Sequence, residues 1–535
     1  MVGLRKRSSF CFLYLLFLIK AAQLEDVSAS KSFYTAGVVE FAPAKYQGSF
    51  LDQLNDNLDD YIQIINSHEA SSTDIIVFPE LTLNNPQYLT FLPEPKDKII
   101  PCDSSSNDYE AFFKKLSCAV KNVRKYVVVN VLEKEVCTRT SQMEKNDPRP
   151  CAPNGLNSFN TNVVFNRDGM VIGRYRKYNS YDLMTNVTLM PELSTFETDF
   201  GVKFGMFICF DINFYSPAME LVDLGVKDFV FSSFWYSELP FLTGVQLHQS
   251  WAYANNVNLL AAGASSPTGG TTGSGIYSGR QGALVSVMAN SPERKLYIAN
   301  VTKSSQSKSV QVSQTNRKLI VSKHTTGIRL MREYRMDDFT SELIEINNDG
   351  LTVVEKLLCH GSFCCQFNLE LTKISPTISS NSYKYHLAVF DGDRNYSGFG
   401  YTKYKFCAVY ACTGKTQDSC GRIFDGDTEI HPEIVFQKIL IEGDFPKADK
   451  VLIMPNSLDQ SLMPLSTDRF EFDIEDDKQM HHVKYSFSTA SDDLLTFGIY
   501  ANYYNGGMAL FRTTSSLLIL MGLSMFALQN LSPQS

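Results

Sequence analysis

The stretch Phe204-Gly-Met-Phe-Ile-Cys-Phe-Asp-Ile-Asn213 places one cysteine where a packed apolar strand would ordinarily carry Val or Ile. Lys203 to Phe210 has the apolar run of a short buried strand, and Asp211, Asn213 and Ser216-Pro217 punctuate its end. Cys209 therefore stands at a strand's exit, held by the sheet yet able to face the crevice where α/β sheets tend to place their chemistry. Two readings are open at this point. Free cysteine is among the most buried residue types and packs as a small hydrophobe; a reactive thiol needs support from elsewhere in the chain.

Around this stretch lies a chain of 535 residues, 44% of them hydrophobic, enough for a large core and two or three domains. Its 49 basic and 57 acidic side chains leave a net charge of −8, and the one tight basic run is Arg5-Lys6-Arg7. That balance offers nothing to nucleic acid. The basic run leads into the apolar stretch Phe10 to Ile19 and then Ala21-Ala22, the layout of a secretory leader cleaved near Ala22. The apolar part is too short for a membrane span, which needs about 20 residues.

The far end carries a second address. Asn505-Gly506-Gly507 are small, Met508 to Ser516 form a spacer, and Leu517 to Leu528 are almost wholly apolar. A small triplet, a spacer and a short hydrophobic tail make the signal for a glycolipid (GPI) anchor, with Asn505 as the expected attachment residue and 506–535 removed. The expected location is the extracellular face of the cell membrane.

Secretion changes how the cysteines are read. Of twelve, Cys11 leaves with the leader, and the remaining number is odd. Outside the cell most thiols pair, so one is left over. Cys102, Cys118, Cys137 and Cys151 can close on themselves, as can Cys359, Cys364, Cys365, Cys407, Cys412 and Cys420. Cys209 has no neighbour, which raises it from packing residue to candidate nucleophile. Connectivity stays open, with Cys137–Cys151, closing a Pro- and Asn-rich loop, the preferred bridge. The same context gives meaning to the sequons at Asn186, Asn300 and Asn395, which should carry N-glycans on surface loops.

In order along the chain, Tyr34 to Phe41 reads as a strand and Phe50 to Asn66 as an amphipathic helix, with Leu51, Leu54, Leu58, Ile62 and Ile65 on one stripe. Asp74 to Phe78 is a continuous apolar strand stopped by Pro79, and Glu80 follows at once. A helix around Tyr109 to Lys121 leads to the strand Tyr126 to Leu132, so the sheet should be partly parallel or mixed. A hairpin turning at Asn166 to Gly169 ends its second strand at Arg176-Lys177-Tyr178. After Cys209 come helices at Pro217 to Leu224 and Gly244 to Asn255 and strands at Asp228 to Phe234 and Val257 to Ala262. Ala264 to Gly279, rich in Ser, Thr and Gly, reads as an ordered loop near the cleft mouth, and Trp235 and Trp251 as core or wall. His248 on its helix reads as a surface or hydrogen-bonded side chain. A domain boundary falls within Thr302 to Lys318, after which short β-branched and aromatic runs predict a mainly β domain stapled by six cysteines. Gly414-Lys415-Thr416 resembles a phosphate loop, but Val409 occupies the place of its first glycine, and it is discounted.

Glu80, Lys177 and Cys209 thus share one station, the end of a predicted strand. Phe-Pro-Glu, Arg-Lys-Tyr and Ile-Cys-Phe-Asp in this order resemble the nitrilase superfamily of carbon-nitrogen hydrolases, over about Tyr34 to Ser291. With the leader, the cysteine-rich second half and the anchor signal, the chain resembles the vanin and biotinidase branch; Gly273-Ser-Gly-Ile-Tyr277 adds to the likeness. The resemblance implies an α/β fold: a nitrilase-like α-β-β-α sandwich over 23–310, with a second, mainly β, disulfide-rich C-terminal domain over 311–505. It also implies an amidase without metal or organic cofactor, acting on a small-molecule amide, most like a pantetheine hydrolase, with biotinamide hydrolysis as the alternative. Cys209 would be the nucleophile, Glu80 the base and Lys177 the oxyanion partner. Many members add a second glutamate soon after the lysine, and Glu192 stands at a comparable position.

Overall fold

The computed structural model describes residues 31–181, 185–304, 318–320, 327–348, 350–374, 381–396, 401–426 and 428–504. The expected leader and the expected anchor signal, Asn505 included, lie outside them.

The first domain is two facing sheets. One is built from Phe33–Phe41 (β1), Ile75–Val77 (β2), Tyr126–Val136 (β3), Leu156–Phe165 (β4), Val171–Arg176 (β5) and, much later in the chain, Arg294–Thr302 (β13), in the order β13-β1-β2-β3-β4-β5. The other contains Thr195–Glu197 (β6), Lys203–Ile208 (β7), Asp228–Ser233 (β8), Asn258–Gly263 (β10), Ser274–Ser278 (β11), Ala283–Val287 (β12) and Lys318–Ile320 (β14), in the order β14-β12-β11-β10-β8-β7-β6. Glu238–Leu239 (β9) pairs instead with Met331–Arg332 (β15).

Strand alternation explains the layering. In β1 and β2, Ala36, Val38, Ile75 and Val77 face the second sheet, where they meet the aromatic and aliphatic core around Phe204, Met206 and Ile208. The alternate residues Val39, Phe41, Ile76 and Phe78 face outward and pack under the helices Phe50–Ile65 (α1) and Ala111–Val123 (α2). A strand buried on both faces needs a near-continuous apolar run, as these have. Helix α1 starts where the Ser49 side chain accepts the Asp52 N–H at 3.1 Å and buries Leu54, Leu58, Tyr61 and Ile65 along one stripe. On the far side of the second sheet, after the short helices Arg139–Glu144 (α3) and Glu220–Asp223 (α4), helix Gly244–Asn255 (α5) sets Trp251 against Phe207 and Phe229. The α-β-β-α sandwich is as the resemblance implied.

Strand direction decides where the strand ends emerge. β1, β2 and β3 run parallel; β4 is antiparallel to β3 and β5 to β4, so β5 shares the direction of β2. In the second sheet β7, β8 and β10 are parallel. A parallel bridge between Phe41 and Ala264 brings the exit ends of β1 and β10 together. The C-terminal ends of β2, β5 and β7 therefore open on one edge of the sandwich.

The second domain is a pair of five-stranded antiparallel sheets. Thr340–Leu343 (β16), Lys384–Asn395 (β19), Tyr401–Cys412 (β20), Val451–Asp459 (β22) and Leu494–Tyr503 (β25) run in the order β16-β19-β20-β25-β22. Leu351–His360 (β17), Phe363–Lys373 (β18), Ile434–Pro446 (β21), Glu471–Asp476 (β23) and Met480–Phe487 (β24) run as β17-β18-β21-β24-β23. Cys365–Cys407 bridges the two sheets, and Cys359–Cys364 and Cys412–Cys420 close short loops. The first domain carries Cys102–Cys118 and the preferred Cys137–Cys151. Every residue of α5 from Gly244 to Tyr253 is buried, because the second domain covers its outer face: Gln246 Nε2 donates to Asn456 Oδ1 at 2.8 Å and Gln249 Nε2 to the Leu465 carbonyl at 2.8 Å.

Two sequence expectations are corrected here. Ser274–Ser278 is not loop but β11, paired antiparallel with β10 and β12. Its small polar residues serve contacts rather than flexibility: the Ser274 and Thr272 hydroxyls donate to the wholly buried Glu40 at 2.5 and 2.6 Å. His248 is not a surface or satisfied side chain. It is fully buried among Phe231, Trp235 and Tyr277, neither ring nitrogen has a partner among the described residues, and burial lowers its pKa to about 3, so it stays neutral.

Candidate active site

Cys209 is the residue at which β7 gives way to a single tight turn, Cys209–Asn213, and its φ is 47°, in the left-handed region that non-glycine residues enter at a cost of about 1–3 kcal/mol. Asp211 holds that turn. Its Oδ2 accepts from the Ile208 N–H at 3.0 Å and the Tyr175 hydroxyl at 2.7 Å, and its Oδ1 from the Asn179 N–H and side-chain amide at 2.8 and 2.9 Å. One buried carboxylate thus ties the turn after β7 to the segment that follows Lys177. Burial raises its pKa to about 6, against the pull of these donors and of Lys177.

Glu80 lies just beyond β2, 1% exposed. Its Oε1 accepts from Lys177 Nζ at 2.5 Å and from Asn160 Nδ2 at 2.7 Å, and its Oε2 from the Phe234 N–H at 2.9 Å. Asn160 is itself set by Asn130, whose amide donates to Asn160 Oδ1 at 2.7 Å and to Asn162 Oδ1 at 3.0 Å, while its own Oδ1 accepts from the Leu81 N–H at 2.9 Å. Lys177 is 4% exposed and follows Arg176 out of β5. Arg176 points the other way, donating to the buried Glu133 and to Glu135 and stacking over Phe159. Strand alternation thus sends adjacent cations to different acids.

Cys209 is the free cysteine of the described residues, 7% exposed. Its thiol lies within electrostatic reach of Glu80 and Lys177. Burial pushes its pKa well above the ordinary thiol value, the neighbouring Glu80 charge raises it further, and Lys177 pulls it down. At rest the sulfur is therefore protonated, with a carboxylate already in place to take the proton.

Aromatic rings wall this edge. Phe210 packs against Tyr181 at 5.1 Å, Phe214 at 4.9 Å and, from the second domain, Tyr396 at 4.9 Å between ring centroids. Tyr236 is 37% exposed and lies within electrostatic reach of Cys209 and Glu80. Nearby, the buried Arg394 of the second domain donates to both oxygens of Glu238 at 2.7 Å and pairs with Glu333.

The three strand-end residues that the sequence singled out are thus brought together. Glu192, half-buried, accepts the backbone N–H of Arg176 at 3.2 Å, one residue short of Lys177. The sequon asparagines Asn186, Asn300 and Asn395 are all exposed. Among the described residues, one group of potential metal ligands is close enough to share an ion, His386 with Cys412 and Cys420, but those two sulfurs are bonded to each other. Sequence reasoning missed Asp211, Asn160, Asn130 and the Phe234 N–H. Asp211 lies two residues after the thiol, where the sequence alone reads as a strand stop.

The comparisons with known proteins agree with this architecture. Residues 44–262 match the carbon-nitrogen hydrolase family and residues 328–506 the vanin C-terminal domain. The chain is 42% identical over 510 residues to vanin-like protein 1 of Drosophila melanogaster, covering 92% of this chain and 90% of that one. It is 29% identical to human pantetheinase, covering 85% and 87%, and 31% identical to human biotinidase, covering 70% and 72%. The protein is a hydrolase of non-peptide carbon-nitrogen bonds, and it belongs to the vanin and biotinidase branch of the nitrilase superfamily.

Proposed function

We propose that this protein cleaves a small linear amide through a thioester on Cys209, most like a pantetheine hydrolase releasing pantothenate and cysteamine. The observation that carries the reading is the buried carboxylate of Glu80, 2.5 Å from the ammonium of Lys177 and within electrostatic reach of the one free thiol among the described residues. Glu80 takes the thiol proton as Sγ attacks the amide carbonyl carbon, and the Lys177 ammonium neutralises the oxyanion that forms. Glu80 returns the proton to the departing nitrogen, and the C–N bond breaks to leave an acyl thioester. Glu80 then takes a proton from water, whose oxygen attacks the thioester; the acid leaves and the sulfur regains its proton. Asn160 and the Phe234 N–H hold Glu80 in position, and Glu192 is an accessory group acting on the strand end that carries Lys177.

The same reading puts the mature chain outside the cell, with the leader 1–22 removed, N-glycans at Asn186, Asn300 and Asn395, and a lipid anchor at Asn505. Its functional units are the hydrolase domain 23–310 and the β domain 311–505. Among the described residues no helix is long and apolar enough to cross a membrane.

A panel of small amides that includes pantetheine and a biotinyl amide, assayed with wild-type protein and Cys209→Ala, tests this. Release of acid from pantetheine by the wild type and none by the variant is expected. Equal activity of the two would end the thioester reading. Preference for the biotinyl amide would move the substrate to the biotinidase side. Selective labelling of Cys209 by a thiol reagent, with no turnover of any amide, would leave a surface binding protein on a hydrolase fold.

A further inference from the structure

Tyr236 stands two residues beyond the Phe234 N–H that holds Glu80, and its ring lies 5.8 Å from the Phe234 ring between centroids. It is 37% exposed, yet burial is the first cause that raises its pKa, followed by the charges of Cys209, Glu80 and Tyr181. A side chain open to water on one side and desolvated at its hydroxyl lines a recess. The fifth influence on that hydroxyl acts in the opposite sense and is the guanidinium of Arg329.

Backbone pairing puts Arg329 there. Met331 lies beside Glu238 and Arg332 beside Leu239 in the parallel pairing of β15 with β9, and the Met331 N–H donates to the Ser237 carbonyl at 2.9 Å. The same register carried back two residues sets Arg329 beside Tyr236. Both crowd Gly270, where a Cβ would lie 3.4 Å from the Arg329 carbonyl oxygen and 3.5 Å from the Tyr236 ring. The Arg329 N–H donates to the Pro267 carbonyl at 2.9 Å, so the chain is fastened at this residue as well as after it. Its side chain is exposed. A surface arginine is ordinarily a solvated group; this one shares a recess with a ring in electrostatic reach of the nucleophile.

We propose that Tyr236 and Arg329 determine specificity, reading oxygen acceptors on the acyl portion of the amide beyond the scissile carbonyl. The inference rests on the thioester reading above and adds which half of the substrate is read. A guanidinium offers donors only, and a phenol hydroxyl adds one more, so the pair favours hydroxyl and carbonyl oxygens and gains nothing from a hydrocarbon chain. The departing amine takes up a proton and becomes a cation, which the Arg329 charge repels, so the polar half recognised here is the acyl half.

Steady-state rates on two amides of cysteamine, pantetheine and N-octanoylcysteamine, test this, because the leaving group is the same and the acyl oxygens differ. The ratio of kcat/KM for pantetheine over the octanoyl amide should fall about tenfold in Arg329→Met and about threefold in Tyr236→Phe, through KM rather than kcat. Arg329→Lys, which keeps the charge without the planar fork, should restore part of the ratio. A merely structural role would lower both substrates alike and leave the ratio where it was. An unmoved ratio in both variants, or wild-type preference for the octanoyl amide, would overturn the inference, while Cys209-dependent turnover would leave the thioester reading standing. Turnover that survives Cys209→Ala, or cleavage of neither amide by the wild type, would overturn both.

Discussion

Two buried charge clusters, each built around one cation, meet at the exit edge of the sandwich and do different work. At Glu80 and Lys177 the carboxylate receives three donors and lies within electrostatic reach of the Cys209 thiol, whose pKa burial raises. At Arg394 one guanidinium joins Glu238 of the first domain and Glu333 of the connecting segment to the second domain, and rings of Tyr334 and Tyr396 cover its faces. The first cluster sets a carboxylate and an ammonium beside a thiol; the second holds no nucleophile and ties three chain segments. Buried ion pairs are weak evidence of stability in themselves, because desolvation offsets the Coulomb gain, so what distinguishes these two is which group each leaves reactive.

The comparison can be broken most sharply at the thiol. Cys209→Ala should abolish turnover, by about ten-thousand-fold or more, while leaving the melting temperature near that of wild type. A large loss of stability instead would make the first cluster structural. Arg394→Met should behave in the opposite way, leaving two buried carboxylates without their cation and costing about 3–5 kcal/mol in denaturant unfolding. Activity per folded molecule should change far less. Loss of catalysis with unfolding unaffected would erase the distinction.

A smaller effect sharpens the role of Asn160. Asn160→Leu removes one charge-assisted hydrogen bond to Glu80, worth about 1.5–3 kcal/mol, and should cut kcat by roughly ten- to a hundred-fold. An unchanged kcat in the folded variant would make Asn160 merely a packing residue. The smallest expected effect is in the pH dependence of stability. Burial and the neighbouring Glu238 raise the pKa of Glu333 in spite of Arg394. A carboxyl held above its unfolded value binds its proton more tightly when folded, so its contribution is complete below that value and fades as pH rises through the folded one. Thermal melts from pH 4 upward should show a decline in wild type that Glu333→Gln flattens; parallel curves for the two proteins would refute it.

Much of the fold was legible in the linear chain. Apolar runs on β1, β2, β3 and β7 announce strands buried on both faces, and the stripe of α1 announces a helix covering one of them. Where the reading went wrong, small or polar residues were filling tight or buried places. In β11, Ser274 serves Glu40, and a side chain at Gly275 would strike the Tyr277 ring, so a Ser/Gly-rich stretch that looks like a loop is strand. His248 looked exterior because a helix ordinarily has one wet face; here a second domain covers it.

The sequence by itself determined that one cysteine is left unbridged, that Glu80, Lys177 and Cys209 each end a strand, and that the chain resembles a hydrolase family. Those conclusions rest on counting and on short-range periodicity, which the order of residues carries in full. Only the tertiary structure decided that the three ends open on the same edge, that Asp211 bends the turn under the sulfur, and that Asn160 and the Phe234 N–H hold Glu80. Hydrogen bonds and burial between residues 80 to 154 positions apart obey no period, so they exist only once the two sheets have packed.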